Sequence, residues 1–331
     1  MRKLIAAVLC ISIVFWGGCA KEEQSASGAP EDNLIVVGFS QVGAESEWRM
    51  ANTQSVKSAL SEENGYMLIF DNARQEQENQ IRAIRMFIQQ DVDYIVFSPN
   101  FETGWNSILL EAKEANIPVI VIDRYIEQQD RDLFTAFIGS DFYKEGETAV
   151  NWLADFLEKR GRGEEPIRIV HIQGTIGSSA QIGRTTALEE AVSRYPNWEI
   201  VAQECGDFTR AKSYEVMSSI LERTKDIDVV YCENDGEALG AIDAMEEAGL
   251  QCDPNYGVIV ISFDATRLGL EYTLARKIAL NVECNPLQGP YVDETIKKLE
   301  RGEPIEQIRY IDETYFDFTG ITREIIDSRQ Y

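Results

Sequence analysis

A single histidine in 331 residues, His171, leaves too few imidazoles for a His-rich metal site. None of the six cysteines stands in a CxxC pair, which argues further against structural zinc. Basic residues are scarce too: 31 Lys and Arg face 56 Asp and Glu, a formal net charge of -25. Nucleic-acid binding needs a basic footprint, and this chain has none, so nucleic acid is excluded as a partner. The acids are scattered and form no tail, which assigns them to solubility. Gly-rich phosphate loops are missing: Gly38 begins no GxGxxG, and Gly174-Thr175-Ile176-Gly177 lacks a Lys-Ser/Thr ending. No cofactor and no metal are expected. His171 lies inside an apolar run and reads as a core residue, so no nucleophilic triad is supported and no enzyme is expected.

A long apolar run is also absent. Leu4 to Trp16 spans 13 residues, short of the roughly 20 that cross a bilayer. With Met1-Arg2-Lys3 before it, the stretch has the form of a signal peptide. It ends in Gly17-Gly18-Cys19-Ala20, small residues around a cysteine as in a bacterial lipobox, although Trp16 stands where a smaller aliphatic is usual. Residues 1–19 are thus expected to form a lipoprotein signal with Cys19 lipidated. Residues 20–32, polar and small, form a flexible tether to the membrane. Four cysteines remain beyond Cys10 and Cys19; Cys205 and Cys232 stand near strand ends, and their connectivity is open.

What remains is long enough for two cores. Apolar runs at 34–39, 67–70, 94–97 and 119–122 alternate with helical stretches, the clearest being 75–90. There Ile81, Ile84, Phe87 and Ile88 share one face. A second series follows at 167–172, 200–202, 229–231, 258–261 and 278–282, with helices at 184–194, 211–223, 237–248 and near 268–275. Continuous apolar runs, spaced as βαβ units require, predict parallel strands covered on both faces. The fold class is α/β, two doubly wound domains of similar size.

The strand ends carry the chemistry, because ligands of open α/β sheets bind at the carboxyl edge. The first strand runs into Gly38-Phe39-Ser40-Gln41-Val42-Gly43 and then a helix start holding Glu45, Glu47, Trp48 and Arg49. Other runs end in Asp71-Asn72, Ser98-Pro99-Asn100, Asp123-Arg124, Gln173-Gly174-Thr175, Glu233-Asn234-Asp235 and Ser262-Phe263-Asp264. Polar residues after strands often only cap the next helix. A set drawn from both halves, joined by Arg184, points beyond capping. Carboxylates and amides accept paired hydroxyls, guanidinium forks donate to them, and the rings of Trp48 and Phe208 suit the C–H face of a sugar.

These motifs carry a resemblance. From about Asn33 onward the chain resembles bacterial periplasmic sugar-binding proteins of the ribose/galactose type, and within them the galactofuranose-binding branch of ABC transporters. Asp123-Arg124 and Asn234-Asp235 are shared with the wider group. Gly38–Val42 with Trp48-Arg49, and Gly206-Asp207-Phe208-Thr209-Arg210, look specific to the furanose branch. Gln77–Ile81 and Asn285-Pro286 also match. The resemblance implies a type I fold, two lobes joined by a three-strand hinge. One lobe would take residues 33–139 and 285–312, the other 140–284 and 313–331. It implies a site of Trp48, Arg49, Asp123 and Arg124 from one lobe and Arg184, Phe208, Asn234 and Asp264 from the other, with Glu283 or Asn285 near the hinge. Gln41, Glu45 and Thr175 complete the expected ligand-binding set. The implied partners are a monosaccharide and an ABC permease with its ATPase, or alternatively a membrane sensor kinase or chemoreceptor. A monomer outside the cytoplasm is expected, either anchored to the cell membrane by its lipid or in the periplasm.

Overall fold

A computed structural model describes residues 34–331. The expected signal peptide, Cys19 and the tether at 20–32 lie outside the described residues. None of the described helices is long and apolar enough to cross a membrane.

Ten strands alternate with helices in chain order, save that only a 3-10 turn separates the fourth from the fifth. They are β1 (Ile35–Gln41), β2 (Tyr66–Asn72), β3 (Tyr94–Phe97), β4 (Val119–Asp123) and β5 (Ala136–Gly139), then β6 (Ile167–Gln173), β7 (Trp198–Cys205), β8 (Val229–Cys232), β9 (Ile259–Asp264) and β10 (Leu280–Glu283). Two short strands, β11 (Ile308–Tyr310) and β12 (Tyr315–Asp317), close the list. The helices are α1 (Glu47–Ala59), α2 (Gln77–Gln89), α3 (Asn106–Glu114), α4 (Phe142–Lys159), α5 (Ser179–Arg194), α6 (Arg210–Arg223), α7 (Asp235–Glu247), α8 (Arg267–Leu274), α9 (Gly289–Glu300) and α10 (Arg323–Ser328).

The strands form two six-stranded sheets, ordered β11-β5-β4-β3-β1-β2 and β12-β10-β9-β8-β6-β7. The orders are the same once β1–β5 are matched with β6–β10. Pairing is parallel except at β12, which runs antiparallel to β10. Every residue of β4 (Val-Ile-Val-Ile-Asp) and of β9 (Ile-Val-Ile-Ser-Phe-Asp) is buried, as strands with helices on both faces must be. Two apolar clusters cover the faces of each sheet. The face expected on α2 is real: Ile84 and Phe87 are fully buried, and Ile81 and Ile88 pack beside them.

The sequence pattern passed over β5, α4, β11 and β12. Each edge strand is only three residues long, Ile-Arg-Tyr and Tyr-Phe-Asp, too short for a period to show. They matter because of where the chain runs. It leaves the first sheet after β5, leaves the second after β10, returns through β11 and crosses again into β12. Glu313 sits in the last crossing, and its Oε1 accepts from Ser140 Oγ at 2.7 Å and from the Asn285 amide at 2.6 Å. One carboxyl oxygen therefore holds all three crossings together.

Candidate functional site

Helix starts and strand ends of both lobes face one another. Ser46 caps α1, Ser178 caps α5, Asn234 caps α7 and Thr266 caps α8, each through its side-chain oxygen. Between these ends lies a small cavity. Lips on either side meet: the Glu102 amide donates to the Gly177 carbonyl at 2.9 Å, and the Tyr125 amide to Ser179 Oγ at 2.8 Å.

The first lobe supplies a balanced charge set. Asp123 ends β4 with φ 62°, a left-handed backbone that turns its carboxylate inward. Its Oδ2 accepts from Arg49 Nη1 at 2.6 Å and from Ser98 Oγ at 2.8 Å. Arg49 Nε also donates to Glu45 Oε1 at 2.8 Å. Burial opposes the Arg49 charge, but Asp123 and Glu45 outweigh it and hold its pKa above the usual range. Arg124 is less favoured: burial, and then the Arg49 charge, lower its pKa to about 10. Its guanidinium donates to the Asn100 carbonyl at 3.0 Å and lies 5.3 Å from the ring centre of Phe208, across the cleft.

The second lobe mirrors this with a difference. Asp264 ends β9, the counterpart of β4, with φ 101°. Arg184 on α5 does not bond to it. It is taken by Glu145 on α4, with Nε and Nη2 each 2.7 Å from Oε2. Burial drives the Asp264 pKa well above its ordinary value, against the pull of Arg184. Burial raises Glu145 as well, and Glu313 beyond it is pushed up to about 9 by burial and by Glu145. The Cys284 thiol, raised well above its usual value by burial, joins these two carboxyls with ligand atoms within 4.8 Å of one another. A reluctant thiol and a carboxylate already held by Arg184 suit a shared proton better than a metal ion.

Aromatic rings come from both lobes. Trp48 donates through Nε1 to the Cys284 carbonyl at 2.6 Å, which fixes the indole against a hinge strand. Phe208 follows Asp207, both in left-handed backbone at φ 58° and 56°, and packs against Gly174, where any side chain would strike its ring. Its carbonyl accepts from Asn234 Nδ2 at 3.1 Å, and its amide donates to Glu237 Oε1 at 2.9 Å.

Nine of the twelve expected residues line the cavity: Glu45, Trp48, Arg49, Asp123, Arg124, Arg184, Phe208, Asn234 and Asp264. The other three do not reach it. Gln41 turns under α1, where Nε2 donates to Asn52 and Thr53 and Oε1 accepts from Arg49 at 3.2 Å. It braces Arg49 from behind. Thr175 donates to Asp207 at 2.6 Å and ties the loop after β6 to the Phe208 turn. Asn285 belongs to the hinge, where its Oδ1 accepts from the Leu287 amide at 2.9 Å. Glu283 is likewise a hinge residue, bonded to the Thr314 amide and paired with Arg329. Glu47 faces solvent beside the cavity. The sequence reading missed Ser46, Phe142, Ala180 and Cys284 as lining residues. Ser46 was hidden as a helix cap, and the other three are apolar or small residues that only the crossings and α5 bring to the wall.

His171 is fully buried with Nε2 2.9 Å from Glu233 Oε1, away from the cavity. Cys205 and Cys232 are free thiols, so the pairing left open by the sequence is not made.

Residues 37–288 match the model of the periplasmic binding protein domain. The chain belongs to the periplasmic binding protein family. Its relatives are binding proteins, and it is a binding protein, not an enzyme. The galactofuranose-binding protein YtfQ of Escherichia coli is 37% identical over 286 residues, covering 85% of this chain and 87% of that one. A Mycobacterium smegmatis crystal structure in complex with β-D-fucofuranose is 44% identical, with TM-score 0.83 over 90% of this chain and 95% of the other. The periplasmic component of the arabinose ABC transporter from Shewanella sp. ANA-3, bound to α- and β-L-arabinofuranose, is 35% identical, with TM-score 0.81 over 89% and 95%.

Proposed function

We propose that this periplasmic binding protein captures a monosaccharide in its furanose form between the two lobes and delivers it to an ABC permease. The observation that carries the reading is the convergence of Arg49, Arg124 and Arg184 with Glu45, Asp123 and Asp264 on one small cavity walled by Trp48 and Phe208. Each guanidinium already has a carboxyl beside it, Arg184 through Glu145, which suits a neutral ligand rich in hydroxyls, and the rings take its C–H face. The furanoses bound by relatives at 35–44% identity support the ring form.

In this reading residues 33–139 with 285–312 act as one rigid lobe and 140–284 with 313–331 as the other. Asp123 and Arg49 receive the sugar first, being already paired, and closure brings Arg184, Phe208, Asn234 and Asp264 onto the remaining hydroxyls. A monomer tethered through lipidated Cys19 would hold the closed lobes at the membrane, and labelled palmitate entering through Cys19 tests that anchor. The sugar is tested by isothermal titration with L-arabinose, D-galactose, D-fucose and D-ribose, followed by NMR of the bound ring form. Binding of a furanose supports the reading; a pyranose in the site, or no sugar bound, ends it.

A further inference from the structure

The cavity has a neighbour. Glu45, Ser46, Trp48, Phe208 and Asp264 line it on one side and, on the other, a second chamber of about 270 Å³. The chemistry changes across that shared wall. Three guanidiniums face the inner cavity, whereas Met50, Leu239 and Leu268 join Trp48 in the outer chamber. Arg210 is the outer chamber's cation, and Asp243 already holds it at 2.7 Å.

Four helices begin around this chamber, an arrangement that can attract anions. Here the helix starts serve themselves. The amides of Arg49, Lys212, Glu237 and Gly269 donate to the caps Ser46, Thr209, Asn234 and Thr266. Glu47 and Asp235 add acid at the same place. An anionic group is therefore unwelcome, and a neutral ring with apolar faces fits.

Asp264 stands at the junction. Its backbone is held at φ 101°, and no side chain among the described residues donates to its carboxyl, so the group remains available to a ligand passing between the two spaces. The outer chamber is much the roomier of the two.

We propose that the outer chamber is an aglycone subsite, so that the protein accepts furanosides carrying a neutral ring on a glycosidic oxygen as well as free sugars. This rests on the monosaccharide reading of the inner cavity. The test titrates the protein with L-arabinose, D-galactose and D-fucose and with their p-nitrophenyl furanosides. For the sugar that binds, its furanoside should bind within about tenfold of it or tighter, and the free sugar should displace it. Leu268→Trp fills the outer chamber without touching the inner one. It should weaken the furanoside by more than about tenfold and leave the free sugar within about twofold. Free sugar that binds while its furanoside is about a hundredfold weaker overturns the subsite alone. Furanoside binding that free sugar does not displace, or Leu268→Trp weakening both ligands alike, overturns it too. Failure of every ligand to bind overturns the monosaccharide reading with it.

Discussion

The two lobes build the same corner from the same parts and leave it in different electrical states. In the first, Arg49 and Arg124 face Glu45 and Asp123, and Arg49 bonds both acids directly. In the second, Arg184 serves Glu145 and leaves Asp264 without a side-chain partner, with Glu313 crowding Glu145 from the hinge. Topologically equal aspartates thus differ in their partners: Asp123 is paired with Arg49, while burial pushes the Asp264 carboxyl toward its neutral acid. A buried carboxylate survives only with partners, and one arginine cannot neutralise three acids. The first lobe therefore offers a fixed acceptor, and the second a carboxyl that can donate to a hydroxyl as well as accept from one.

Matched substitutions break or sharpen this contrast. Asp123→Asn should have the largest effect. It leaves Arg49 short of a buried counter-charge, a loss of about 3–5 kcal/mol in stability, and it should abolish sugar binding in isothermal titration. Retained affinity would show that the first corner is not a charged acceptor. Trp48→Ala should cost about 1.5–3 kcal/mol of binding free energy, since a large buried ring and its bond to the Cys284 carbonyl go together. Unchanged titration curves would remove the indole as a sugar platform.

The hinge acid gives a pH signature. The folded pKa of Glu313 is raised to about 9 from an ordinary 4.5, so its unfolded form gives up the proton first. The contribution of protonated Glu313 is fully present below about pH 4.5 and is lost as pH rises to about 9. Glu313→Gln should flatten that decline in a series of melting temperatures across the window. A mutant with the parental slope would place the excess acid elsewhere. Asp264→Asn should have the smallest effect, within about tenfold in affinity, because an amide imitates a neutral carboxyl in shape and hydrogen bonding. A loss as large as that of Asp123→Asn would mean that Asp264 works as a carboxylate and that the two corners are alike.

Much of this was written openly in the sequence. Apolar runs such as Val119–Ile122 mark buried parallel strands, and Asp123, Asn234 and Asp264 stand at their ends, where open sheets bind ligands. The same rule misplaced Gln41 because a strand-end side chain can turn either toward the cleft or under the following helix. The amide of Gln41 found Asn52 and Thr53 there. Phe142 and Cys284 were illegible for another reason. They reach the wall through the crossings, and Glu145 reaches Arg184 in the same way from α4, a helix that no motif announced. Long-range topology decided those positions, and no local pattern of residues carries it.

The exchange of edge strands has a bearing on how the protein is made. β11 completes the first sheet only after the chain has built the second, and β12 completes the second only after that detour. No single cut in the chain yields two finished lobes. A ribosome or translocon must deliver about Tyr310 before the first lobe can seal its outer edge, so neither sheet is complete until nearly the whole chain has emerged. Severed fragments would regain a ligand site only by trading strands with each other, which makes fragment complementation the natural assay of the hinge.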